Sequence, residues 1–114
     1  MEFHPETAFS PQALAAVAHS GEPLTLHADA WTAVAAGHDQ VARLQAENRR
    51  VYGLTTGFGP LATTRVAANR DAPHQRNLIY HLATGTGDPL PHPQARAVLA
   101  VRILSLARGH SGIR

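Results

Sequence analysis

VYGLTTGFGPLA, Val51–Ala62, is the stretch on which the reading of this chain turns. Its first ten positions hold one tyrosine, one phenylalanine, two threonines and three glycines, with no charge and no helical spacing. Gly53, Gly57 and Gly59 permit backbone torsions closed to other residues and let a second surface come near. Thr55 and Thr56 offer hydroxyls, and Tyr52 offers a phenol able to act as acid, base or hydrogen-bond donor over a ligand. Read by its glycines alone, the stretch is a surface loop with a packed tyrosine.

Outward from this loop the chain is mainly α. Toward the N-terminus, residues 9–50 read as helical. Ser10 can cap a short helix in SPQALAAVAHSG, Pro11 suits its first position and Gly21 follows its end. Leu24 and Leu26 alternate in a brief extended piece, and Asp29 is placed to cap a helix running to about Asn48. Trp31, Val34, Val41 and Leu44 give that helix one apolar stripe, interrupted by Gly37 at a cost of about 1 kcal/mol relative to alanine. Residues 1–8 read as a loose arm and 51–68 as the loop. Residues 69–114 are again helical. One helix spans Ala72 to Thr84. The other starts near Pro93, has Val98, Leu99, Ile103 and Leu106 as its stripe, and closes at Gly109.

Composition narrows the function classes. The 114 residues suffice for one small domain, and all ten basic residues are arginines spread from Arg43 to Arg114. Without a clustered basic face or aromatic–basic interleaving, no nucleic-acid partner is expected. The absence of cysteine excludes disulfides and thiolate metal sites. No apolar run reaches the ~20 residues that span a bilayer, and MEFHPETAFS lacks a signal pattern, so no membrane partner and a cytoplasmic location are expected. His74, His81, His92 and His110 show no HxxxH or HExxH spacing, and no metal is expected. Ser111 lacks a GxSxG frame and reads as a turn residue.

Three motifs in fixed order carry a family resemblance: VYGLTTGFGPLA, then QRNLIYHLATGTG from Gln75, then RAVLAVRILSLARGHSG from Arg96. Together they resemble the aromatic amino acid ammonia-lyases, a family of histidine, phenylalanine and tyrosine lyases and related aminomutases. The resemblance covers roughly Leu24 to Arg114. It implies removal of ammonia from an aromatic amino acid by an electrophilic methylidene-imidazolone (MIO) group, formed from an Ala-Ser-Gly triplet. It further implies that Tyr52 is the base taking the β-proton, with Gly53, Thr55, Thr56, Gly57, Phe58 and Gly59 in a mobile active-site loop and Gly59 near substrate. Gln75, Arg76 and Asn77 match a family stretch with a loop-orienting or intersubunit role, set against a solvated first helical turn.

The resemblance also bears on substrate. His81-Leu82 falls where family members carry selectivity residues. Tyrosine lyases resemble this chain in having histidine-leucine there, phenylalanine lyases usually have phenylalanine-leucine, and histidine lyases serine-histidine. His81 would meet a para-hydroxyl and Leu82 the ring, while Tyr80 packs elsewhere on its helix. An unpartnered buried hydroxyl costs about 1–3 kcal/mol, enough to favour tyrosine. The implied product is para-coumarate.

A free phenol titrates near ~10, so acting as a base at neutral pH requires about 4 kcal/mol of stabilisation of its anion. A closed, water-poor site can supply that, and an exposed loop cannot. Family members run to several hundred residues as homotetramers, and Ala-Ser-Gly does not occur in these 114. The chain alone is therefore expected to be inactive, acting with the remaining lyase polypeptide or lyase subunits. A tyrosine aminomutase segment and a non-catalytic helical module that regulates a lyase are the alternatives.

Overall fold

The computed structural model describes residues 1–67 and 71–113. The ends expected at Ala68 for the loop, at residue 69 for the last helical segment and at Arg114 for the chain lie outside the described residues. The expected mainly α architecture holds. Among the described residues, four α-helices, α1 (Pro11–Ser20), α2 (Ala28–Ala46), α3 (Asp71–Leu82) and α4 (His92–Leu106), accompany two short strands, β1 (Glu2–Phe3) and β2 (Thr25–Leu26). Contacts divide the chain into two compact units, Met1–Gln40 with the segment from Pro89 onward, and Val41–Asp88.

In the first unit, α1 begins and ends as its sequence dictates. Ser10 Oγ accepts from the Ala13 N–H at 3.1 Å, Pro11 opens the helix, and Gly21 leaves it at φ 70°. Arg96 donates through Nε and Nη2 to the Val17 carbonyl at 3.3 and 3.2 Å. That carbonyl belongs to the last turn of α1, where free acceptors and the negative helix end favour a cation.

The arm expected to be loose is instead built in. β1 pairs in parallel with β2, setting Glu2 against Thr25 and Phe3 against Leu26. Phe3 is buried with Ala30, Leu104 and Ala107, flanked by Met1, Phe9, Leu24 and Leu26. Arg108 lies 5.6 Å from the Phe3 ring centre and donates to the Pro5 and Thr7 carbonyls. One aromatic anchor and one arginine thus order a segment whose polar composition read as disorder.

The other differences concern helix faces. α2 starts at Ala28, so Asp29 lies in its first turn; His27 takes the capping role, its Nδ1 accepting from the Asp29 N–H at 3.2 Å. Ala30 and Val34 are buried, whereas Trp31 is 62% exposed and lies off the stripe. Gly37 continues the buried face for a steric reason. A Cβ there would overlap the Gly109 carbonyl, and one on Gly109 would overlap the Ala33 carbonyl. Backbone meets backbone at this crossing, and only glycine fits.

On α4, Ala100 and Leu104 are buried; of the expected stripe, Val98, Leu99 and Ile103 are exposed and Leu106 is half-buried. α4 packs on α1, whose buried residues are Val17 and Ala18, so small side chains set the contact and the larger ones remain uncovered.

In the second unit, α2 ends in a Schellman arrangement. The Arg49 N–H donates to Leu44 O, the Asn48 N–H donates to Gln45 O, and Asn48 sits at φ 53°. This left-handed residue stops the helix two positions before its expected end. α3 follows the loop, ending at Leu82 rather than Thr84.

Candidate active site

The loop owes its shape to its two threonines. Thr55 Oγ1 donates to Arg49 O at 2.6 Å and accepts from the Val51 N–H at 2.9 Å. Thr56 is fully buried; its hydroxyl accepts from the Gly53 N–H at 3.3 Å and donates to Gly57 O at 3.1 Å. Both hydroxyls are engaged by backbone groups of residues 49–57. Their work is internal, because a turn with few ladder bonds leaves amides and carbonyls that side chains must satisfy. An isolated antiparallel bridge, Thr56 to Arg65, closes the base, with Arg65 bonded to the Asn48 carbonyl and side chain.

The glycines answer to distinct constraints. A Cβ on Gly53 would come within 2.7 Å of the Phe58 ring, and one on Gly57 would press on Leu61. Gly59 has open space around it but holds φ 53°. Its N–H points at the Tyr52 phenol oxygen, 3.1 Å away. This donor occupies a lone pair of Tyr52 and leaves the phenolic proton free to point elsewhere. The Tyr52 side chain is 64% exposed.

Three rings tie this phenol to α3. Tyr52 meets Phe58 edge to face at 6.1 Å, and Phe58 stacks on His74 at 4.7 Å with 12° between planes. Gln75 Nε2 donates to Gly53 O at 2.7 Å, the loop-orienting contact that the family stretch suggested. The role of His74 was not legible in its spacing. Its Nε2 is buried without a hydrogen-bond partner, which is tolerable for a ring recruited for its flat face.

His81 and Leu82 stand at the end of the same helix, both exposed. Seven residues separate His74 from His81, nearly two full turns, so His81 lies on the face that carries the ring stack, about 10 Å along the axis. Among the described residues, no hydrogen bond or ring contact joins His81 to Tyr52. The loop residues are thus brought together with Tyr52, and the His81-Leu82 pair is displaced along one helix face. Tyr80 is 68% exposed rather than packed.

The aromatic amino acid lyase family profile matches residues 9–114. A histidine ammonia-lyase of Paracidovorax citrulli is 48% identical over 101 residues, which are 89% of this chain and 20% of that protein. Phenylalanine aminomutase of Pantoea agglomerans superposes with a TM-score of 0.93 at 28% identity, over 98% of this chain and 22% of that one. Tyrosine aminomutase of Streptomyces globisporus does so with a TM-score of 0.85 at 27% identity, over 90% and 20%. The chain spans about a fifth of the length of the curated relatives it matches. With residues 9–114 matched by its profile, the chain belongs to the aromatic amino acid lyase family.

Proposed function

We propose that this chain is the N-terminal part of an ammonia-lyase acting on L-tyrosine to give para-coumarate. Tyr52 takes the β-proton, His81 meets the para-hydroxyl and Leu82 packs beside the ring. The observation that carries this reading is the coupling of Tyr52, through Phe58 and His74, to the face of α3 on which His81 lies. The Gly59 N–H is a donor of the kind that steadies a phenolate once water is excluded.

The Ala-Ser-Gly triplet that forms the family's electrophile is not among the 114 residues of this chain, so no step is routed through that group here. The chain's own residues position a loop, hold a proton acceptor and read a ring. Completion by further lyase polypeptide suits the uncovered apolar residues of α4, Val98, Leu99, Val101 and Ile103.

The test is reconstitution with lyase polypeptide carrying Ala-Ser-Gly, followed by the unsaturated acid released from each amino acid. Tyrosine is the preferred substrate, and Tyr52→Phe lowers the rate by about 10²–10⁴. His81→Phe shifts preference toward phenylalanine by about ten- to a hundredfold. Equal turnover without the Tyr52 oxygen removes the reading. Histidine as substrate is the second reading, favoured by 48% identity to a histidine ammonia-lyase. It requires faster turnover of histidine than of tyrosine. Release of β-tyrosine would identify an aminomutase.

A further inference from the structure

The parallel pairing of β1 with β2 has a chemical consequence outside the loop. Phe3 is in register with Leu26, so the next residues, His4 and His27, leave the strands side by side. Their rings stack with centres 4.1 Å apart and 28° between planes. Asp29, two residues on, brings a carboxylate oxygen to 3.1 Å from His27 Nδ1. One nitrogen from each histidine and one Asp29 oxygen lie within 4.8 Å of one another.

This arrangement is electrostatically unresolved. His27 Nδ1 accepts the Asp29 N–H at 3.2 Å, which requires its lone pair to point there. The Asp29 Oδ2 beside the same nitrogen is also an acceptor. A neutral ring with that tautomer sets two lone pairs against each other, and a ring carrying a proton on Nδ1 sets two donors against each other. A cation on that nitrogen would turn the facing carboxylate into a fellow ligand, in exchange for the Asp29 N–H bond, since one lone pair cannot serve both.

We infer that His4, His27 and Asp29 form a binding site for a divalent transition-metal ion of the zinc class. Two imidazoles and one carboxylate are a nitrogen-rich set that suits zinc, cobalt or copper rather than magnesium or calcium. Bonds near 2.1 Å put neighbouring tetrahedral ligand atoms about 3.4 Å apart, so ligand atoms within 4.8 Å of one another must draw together and the stacked rings must fan to close on an ion. His4 and Asp29 also line an open cavity of about 570 Å³ that includes Glu6, Thr7 and Thr32. The cavity leaves room for water as a fourth ligand, and Glu6 is a further carboxylate in its lining. A bound ion would join the N-terminal segment to the beginning of α2, independently of any lyase chemistry.

The probe is Co²⁺ titrated into the purified protein, followed by visible absorption and by proton NMR, with Mg²⁺ and Ca²⁺ as controls. One equivalent of Co²⁺ binds, giving ligand-field bands, and Zn²⁺ displaces it. Paramagnetic shifts centre on His4 and His27 rather than on the six other histidines. His4→Gln and Asp29→Asn each weaken binding at least about tenfold, while His110→Gln does not. Absence of saturable Co²⁺ binding, shifts centred on other histidines, or affinity unchanged in both site variants would overturn the inference. The paramagnetic map needs no substitution, so it decides the matter even where a variant fails to fold.

Discussion

The two units of this chain are held together by different means. In the unit built on α1 and α4, eight apolar side chains are buried, among them Phe3, Val34 and Leu104. In the unit of Val41–Asp88, the buried described residues are Thr56 and Gly57, and order comes from hydroxyl bonds, one bridge and a ring stack. Apolar burial is non-directional and fixes a shape through volume, whereas hydrogen bonds fix particular atoms in particular directions. The proposed role of Tyr52 would need the second property.

The largest expected effect separates the two regimes directly. Leu104 is fully buried, and Leu104→Ala should cost about 2–5 kcal/mol in denaturant unfolding. The half-buried Leu54 in the loop offers no equivalent, and Leu54→Ala should cost well under half as much. Equal losses at the two positions would mean that the loop has an apolar core of its own, and the contrast would fail.

A smaller effect tests the polar side. Thr56→Val keeps shape and removes the hydroxyl, leaving the Gly53 N–H and the Gly57 carbonyl without that partner. The expected cost is about 1–3 kcal/mol, with faster amide exchange at Gly53. A neutral outcome would assign the loop's shape to its glycines and to the bridge at Arg65.

The same contrast explains what could be read from the sequence. Helix punctuation was legible at Ser10, Pro11 and Gly21 because caps are local chemistry. The identity of the loop was legible because Tyr52, Gly57, Phe58 and Gly59 have few other uses in that order. Faces were less so. Trp31 and Val98 fit an apolar stripe by spacing, yet Ala30, Ala100 and Ala107 are buried instead. Alanine carries little hydrophobic signal, and a close helix contact selects it for its size. Gly37 looked like a local cost, and its reason, the Gly109 carbonyl, lies 72 positions away. The pairing of His4 with His27 depends on a two-residue parallel strand contact that no periodicity announces.

Gln75 gives the smallest and most specific test, because it touches the loop by one bond. Its amide reaches Gly53 O at 2.7 Å from an exposed position, so Gln75→Ala should cost only about 0.5–1.5 kcal/mol in stability. The bond holds the carbonyl of the residue that follows Tyr52, and losing it frees the phenol to wander relative to α3. In the reconstituted lyase, that predicts a fall in kcat larger than the stability loss accounts for, since a small misplacement of a reacting group is costly. Gln75→Glu supplies the control. It keeps the length of the side chain but replaces the donor with an acceptor facing the Gly53 carbonyl, so it should be at least as damaging as alanine. If Gln75→Glu instead retained full activity, packing rather than this hydrogen bond would be what fixes the loop on its helix.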